Sequence, residues 1–130
     1  MEHIIQELHL IGDVFVTLEK GAAWNIPAME AYNSGNLVIC TKDVQPSEFL
    51  PSNGYVDKID SVGEWVDGMS QCSYPGLYTG SEAWWVPDEH VASSAMRVFF
   101  EEVNLRRKQK HDDRILSPDL IAEEFKEILA

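Results

Sequence analysis

The residues best suited to chemistry lie together at 21–30, Gly21-Ala22-Ala23-Trp24-Asn25-Ile26-Pro27-Ala28-Met29-Glu30. Small residues leave a short apolar run, and a proline then stands where a helix can begin. Pro27 fits a first helical turn, because the N–H it lacks would have no intrahelical partner there. A helix start carries unpaired N–H groups and the positive end of the macrodipole, which together attract phosphate. Glu30 falls about one turn further on, where a carboxylate can accept hydrogen bonds from the vicinal hydroxyls of a ribose. The same stretch also suits an ordinary strand-to-helix loop with a surface glutamate, and the residues alone leave both readings open.

Other reactive side chains form no second constellation. Cys40 ends the apolar run Leu37-Val38-Ile39, as a buried and inert thiol would. Cys72 lies among Gly, Ser and Pro, as a loop thiol would. His3, His9, His90 and His111 have no metal-ligand spacing, either with one another or with a cysteine. Trp24 sits beside the loop, either lining a pocket or packing beneath it. Lys20 is the nearest base, either facing a phosphate or solvated.

The elements that must position this loop follow from periodicity. Ile4, Ile5, Leu8 and Ile11 have helical spacing, with Gly12 as a stop. Residues 14–18 form an apolar run without polar alternation, the pattern of a strand covered on both faces of a parallel sheet. A helix over 26–32 ends at Gly35, and residues 37–40 make a second buried strand. Residues 46–50 suggest one helical turn and 54–59 a short strand. The glycine-rich stretch 63–83 reads as a long irregular loop, of the kind that is usually functional or mobile. Residues 84–86 read as a strand closed by Pro87, with Trp84 and Trp85 on opposite faces, one in the core and the other free for an interface. Asp88 can cap a helix whose apolar side runs through Val91, Ala95, Val98, Phe99 and Val103. Arg106, Arg107, Lys108, Lys110 and Arg114 then suit a solvated helix end or a polyanion contact. A last helix opens at Ser117-Pro118, with Ile121, Phe125, Ile128 and Leu129 on one face.

Residues 21–30, continued by Ala31-Tyr32-Asn33-Ser34-Gly35-Asn36-Leu37-Val38-Ile39, resemble the core motif of retaining GT-B glycosyltransferases of the group 1 type. Pro46-Ser47-Glu48-Phe49-Leu50, Asn53-Gly54-Tyr55, and Trp84 with Pro87-Asp88 resemble later blocks of that family in the same order. The resemblance implies an α/β fold, a partial Rossmann-like (doubly wound) parallel sheet flanked by helices, as in the C-terminal domain of these enzymes. It implies a nucleotide-sugar site at Ala23, Trp24, Asn25, Ile26, Pro27 and Glu30, with Glu30 on the ribose. The family carries another glutamate, on the donor sugar, with seven residues between the two, and that place falls on Ala22. A methyl group accepts no hydrogen bond, so the resemblance implies nucleotide or nucleotide-sugar binding without catalysis by this chain alone. Asn25 stands where the family has glycine, putting a side chain where backbone would approach the ligand. The match covers the later part of a nucleotide-binding domain. The acceptor domain and the bases that hold the diphosphate would come from elsewhere.

Size and charge bound the rest. The 130 residues suit a single domain over 1–130. Twenty-two acids against ten bases give a formal charge of −12, which disfavours nucleic acid and anionic lipid as partners. No apolar run approaches the roughly 20 residues of a membrane helix, so a cytoplasmic protein without membrane insertion is expected, with neither metal nor cofactor. An interaction module that keeps the fold and has lost the site is the alternative to nucleotide binding. The expected partners are a nucleotide or nucleotide sugar, and a second chain: a homodimer across an open sheet edge, or another glycosyltransferase chain.

Overall fold

A computed structural model describes residues 2–66, 78–106 and 126. Among the described residues nine elements follow one another: α1 (Glu2–Ile11), β1 (Val14–Thr17), α2 (Ile26–Asn33), β2 (Leu37–Thr41), α3 (Pro46–Phe49), β3 (Val56–Ile59), β4 (Ser61–Trp65), β5 (Ala83–Pro87) and α4 (Glu89–Arg106). The chain is an α/β fold: a three-stranded parallel sheet in the order β1-β2-β3 alternates with helices, and β4 and β5 make a small antiparallel hairpin.

The central strand organises the molecule. Leu37-Val38-Ile39-Cys40-Thr41 is apolar and rich in residues that suit a pleated surface, and all five side chains are buried. Alternation sends Val38 and Cys40 to one face, where they pack with Ala28, Ala31 and Tyr32 of α2 and with Leu50 and Val56. Leu37 and Ile39 point the other way, against Ile59 and against Ala92, Ala95 and Phe99 of α4. Helices therefore cover both faces. Fully burying each Val, Leu or Ile contributes about 1.5–3 kcal/mol, an upper figure that chain entropy opposes.

Helix α2 is fixed at both ends. Gly35, at φ +94°, is the left-handed residue that ends it. The Gly35 N–H donates to Tyr32 O and the Asn36 N–H to Ala31 O, the paired bonds of a Schellman cap. Tyr32 is wholly buried, and its hydroxyl accepts from Asn53 Nδ2 at 3.0 Å. Below the sheet's carboxyl end, the ammonium of Lys58 donates to Ser47 O (2.7 Å) and Leu50 O (2.8 Å), tying β3 to the single turn of α3.

Four expectations change. Strand β1 packs on both faces, Phe15 against the cluster of α2 and Val14 against that of α4, but it lies at the edge of the sheet and Val16 is exposed rather than covered. The supposed loop 63–83 begins and ends in strand, because Gly63, Glu64 and Trp65 pair with Trp85, Trp84 and Ala83. The Trp85 ring lies over Gly63, where an added Cβ would meet it at 3.6 Å, an ordinary van der Waals contact. A two-stranded ribbon has no core of its own, and neither Trp84 nor Trp85 is buried. On α4 the buried stripe is Ala92, Ala95 and Phe99, leaving Val91 and Val98 exposed. Small alanines let the helix approach the sheet, which rotates the face away from the valines. Cys72, the base-rich residues 107–114, and Ile121, Phe125, Ile128 and Leu129 of the expected last helix lie outside the described residues.

Candidate functional site

The loop between β1 and α2 leaves the carboxyl end of a parallel strand, the side on which open α/β sheets take ligands. Its geometry is set by Asn25. This residue adopts φ 47° and ψ 63°, the left-handed conformation that asparagine tolerates better than most side chains. From there its Oδ1 accepts from the Ala28 N–H at 3.1 Å and caps α2. Its Nδ2 donates to Thr17 Oγ1 at 2.8 Å and to Glu19 Oε2 at 3.1 Å. The side chain expected to crowd a ligand instead folds back onto the end of β1.

Two further ties hold the loop. The Trp85 N–H donates to Lys20 O at 2.8 Å, joining the loop to the hairpin. Lys20 Nζ lies 5.0 Å from the Trp84 ring centroid, so the base nearest the loop is engaged in a cation–π contact. Trp24 stacks on Phe49 of α3, with ring centroids 5.2 Å apart and 23° between planes, and stays 45% exposed. It packs beside the loop while presenting part of its indole to solvent.

What remains open is backbone. Pro27 has no N–H, and the Ala28 N–H is taken by Asn25. The N–H groups of Ala22, Ala23, Trp24 and Asn25 make no hydrogen bond among the described residues. Backbone donors at a helix start are of the kind that can bind an anion.

Glu30 lies on the flank of α2 that faces α1, with its side chain 40% exposed. Its Oε2 is 4.0 Å from Nε2 of His9. The structure thus places Ala23, Trp24 and Asn25 in the loop and Ile26 and Pro27 at the start of α2, with Glu30 one turn further along that helix. Ala22 supplies no carboxylate, and the acid that enters the loop is Glu19, held by Asn25. Thr17, Glu19 and His9 were missed from sequence, because their roles depend on contacts across the loop and between helices that no local spacing encodes.

Burial pushes the Cys40 thiol up to about 11, against a smaller lowering by the charge of Lys58, which makes the thiol a poor nucleophile. Among the described residues no three His, Cys, Asp or Glu side chains gather as a metal site, and no helix is long and apolar enough to cross a membrane. Compared with protein-family models, curated proteins and solved structures, the chain matches none of them.

Proposed function

We propose that the chain is a nucleotide- or nucleotide-sugar-binding domain of the group 1, GT-B glycosyltransferase type, with a partial Rossmann-like sheet and no transfer activity of its own. The observation that carries this reading is the run of four open N–H groups at 22–25, at the carboxyl end of a parallel strand and one turn above Glu30. Phosphate would lie on those donors, and the ribose hydroxyls would donate to the Glu30 carboxylate. Trp24, Ile26 and Pro27 would shape the wall beside them. Asn25 acts by holding the loop. With Ala22 in place of the other motif glutamate, the donor sugar has no carboxylate at that position, and transfer would need a second chain.

The test is thermal unfolding with UDP, GDP, ADP and their sugars. A ligand at 100 times its Kd stabilises the native state by about 2.7 kcal/mol. A shift with one nucleotide and its sugars, lost in Glu30→Gln, is the expected result. No shift with any of them would refute the reading.

A second chain has its own support. The described apolar side chains of α1 are exposed, with Ile4 and Leu8 at 60%, Leu10 at 71% and Ile11 at 72%. The same helix reaches β1 through the His9–Phe15 contact, and the outer edge of β1 is unpaired among the described strands. An apolar helix beside an open strand edge is what a docking partner covers, and a second copy by two-fold symmetry is the simplest occupant. This face also favours the alternative of an interaction module, should no nucleotide bind.

A further inference from the structure

Of the described α1 side chains, 4–11, only that of His9 is buried. Apolar neighbours on the same helix stay in water while an imidazole goes inside, the reverse of what hydrophobicity alone selects. The ring packs against Phe15 of β1 in a T-shaped contact, with centroids 5.6 Å apart and planes at 64°. Its Nε2 is sealed from solvent and has no hydrogen-bond partner. A buried polar atom without a partner carries an uncompensated desolvation cost, so its presence asks for a reason. The carboxylate within ion-pair range of that nitrogen is Glu30, at 4.0 Å. This separation is too long for a hydrogen bond and short enough to close by a small turn of the glutamate side chain.

We propose that His9 is a positioning residue for the Glu30 carboxylate. With its proton on Nε2, the imidazole donates to one carboxylate oxygen and leaves the other, on the solvent side, for the hydroxyls of a ribose. When α1 is settled, the contact with Phe15 holds the ring from one side. A free glutamate would lose rotamer freedom when a diol binds, whereas a backed one has already lost part of it. The role rests on the nucleotide reading above. It adds that selectivity for ribose over a deoxy sugar depends on α1 as well as α2.

Calorimetry tests it, using whichever of UDP, GDP and ADP the wild type binds most tightly, and the 2′,3′-dideoxy form of that nucleotide. His9→Phe keeps a ring against Phe15 and removes the donor. His9→Gln gives up the ring and returns an N–H. We expect His9→Phe to weaken the ribonucleotide by about three- to tenfold, the range of one ordinary net hydrogen bond, and to leave the dideoxy form unchanged. His9→Gln should recover most of the loss. In a Glu30→Gln background His9→Phe should have no further effect, since the histidine acts through the carboxylate. Equal losses for both nucleotides would mean mere loosening of α1 and would overturn the proposal. Multiplicative effects of the two substitutions would overturn it as well. Loss with Glu30→Gln but none with His9→Phe would leave nucleotide binding standing and remove only the role of His9. A wild type that binds no nucleotide would refute both.

Discussion

Asn25 concentrates three demands in one side chain, and substitutions can separate them. In Asn25→Ala the helix cap is lost, at about 1 kcal/mol. Alanine must also hold φ 47°, which costs about 1–2 kcal/mol for a residue with a Cβ and no compensating polar group. Thr17, which is buried, loses the donor to its Oγ1, for about another 1 kcal/mol. The sum is about 3–4 kcal/mol. In Asn25→Gly the backbone cost vanishes, the cap loss falls to a few tenths, and added chain entropy costs about 0.5–1 kcal/mol, giving about 2 kcal/mol in total. Asn25→Asp keeps the cap but replaces the Nδ2 donor with a second carboxylate beside Glu19. The predicted order of stability is wild type, then Gly, then Ala, with Asp recovering at high salt. Urea unfolding followed by far-UV circular dichroism reads this order without interference from Trp24. Equal stability of the Gly and Ala variants would show that the left-handed backbone is not the constraint argued here. Ala at wild-type stability would show that the loop is not held by Asn25 at all.

Three further outcomes follow from the packing. The native Cys40 thiol holds its proton up to about pH 11 while an ordinary thiol releases it near 9.0. Unfolding therefore releases a proton in that window, and stability should fall as pH rises from 9 to 11, by at most about 3 kcal/mol at 1.36 kcal/mol per unit. Measured against Cys40→Val, a difference that does not change with pH would contradict this. Lys58→Met removes a charged donor from the carbonyls of Ser47 and Leu50, and a loss of about 1.5–3 kcal/mol in chemical denaturation is expected, with no loss counting against the tie. Light scattering at micromolar concentration should give two chains for the wild type and one for Leu8→Glu, and a single-chain mass for the wild type would dismiss the homodimer.

Much of the sheet was legible because its signals are local. The five residues of β2 are uniformly apolar, Gly35 marks the end of α2, and Pro27 and Pro46 mark the starts of α2 and α3. What failed was non-local. Whether every residue of 14–17 is covered depends on neighbours that the run itself does not specify, and Val16 proved to be exposed. The hairpin escaped notice because its strands are separated by 17 residues, so no short turn announces the pairing. At the site, Pro27 and Glu30 were visible from spacing. The position of Asn25 was visible as well, but its orientation was not, because an asparagine that folds back is indistinguishable in sequence from one that points outward.

The last consequence concerns α1, which both proposals share. His9 is its buried anchor, and the rest of its described apolar surface faces solvent. An element held by so few apolar contacts opens at low cost, and its motion would carry the imidazole away from Glu30. A partner seated on Ile4, Leu8 and Ile11 would hold the helix down and so fix the carboxylate. Anything that binds only the settled helix gains affinity when the helix is already settled, so partner and nucleotide should each strengthen the other. Linkage makes the two effects equal: if dimerisation tightens nucleotide binding by some factor, saturating nucleotide must tighten the dimer by the same factor per site. Sedimentation or light scattering across a dilution series, with and without nucleotide, measures one side, and calorimetry of wild type against Leu8→Glu measures the other. Agreement between them would identify α1 as the link. A dimer equally tight with and without nucleotide would show that the helix is already settled in the single chain, and that the open edge and the anion seat act independently.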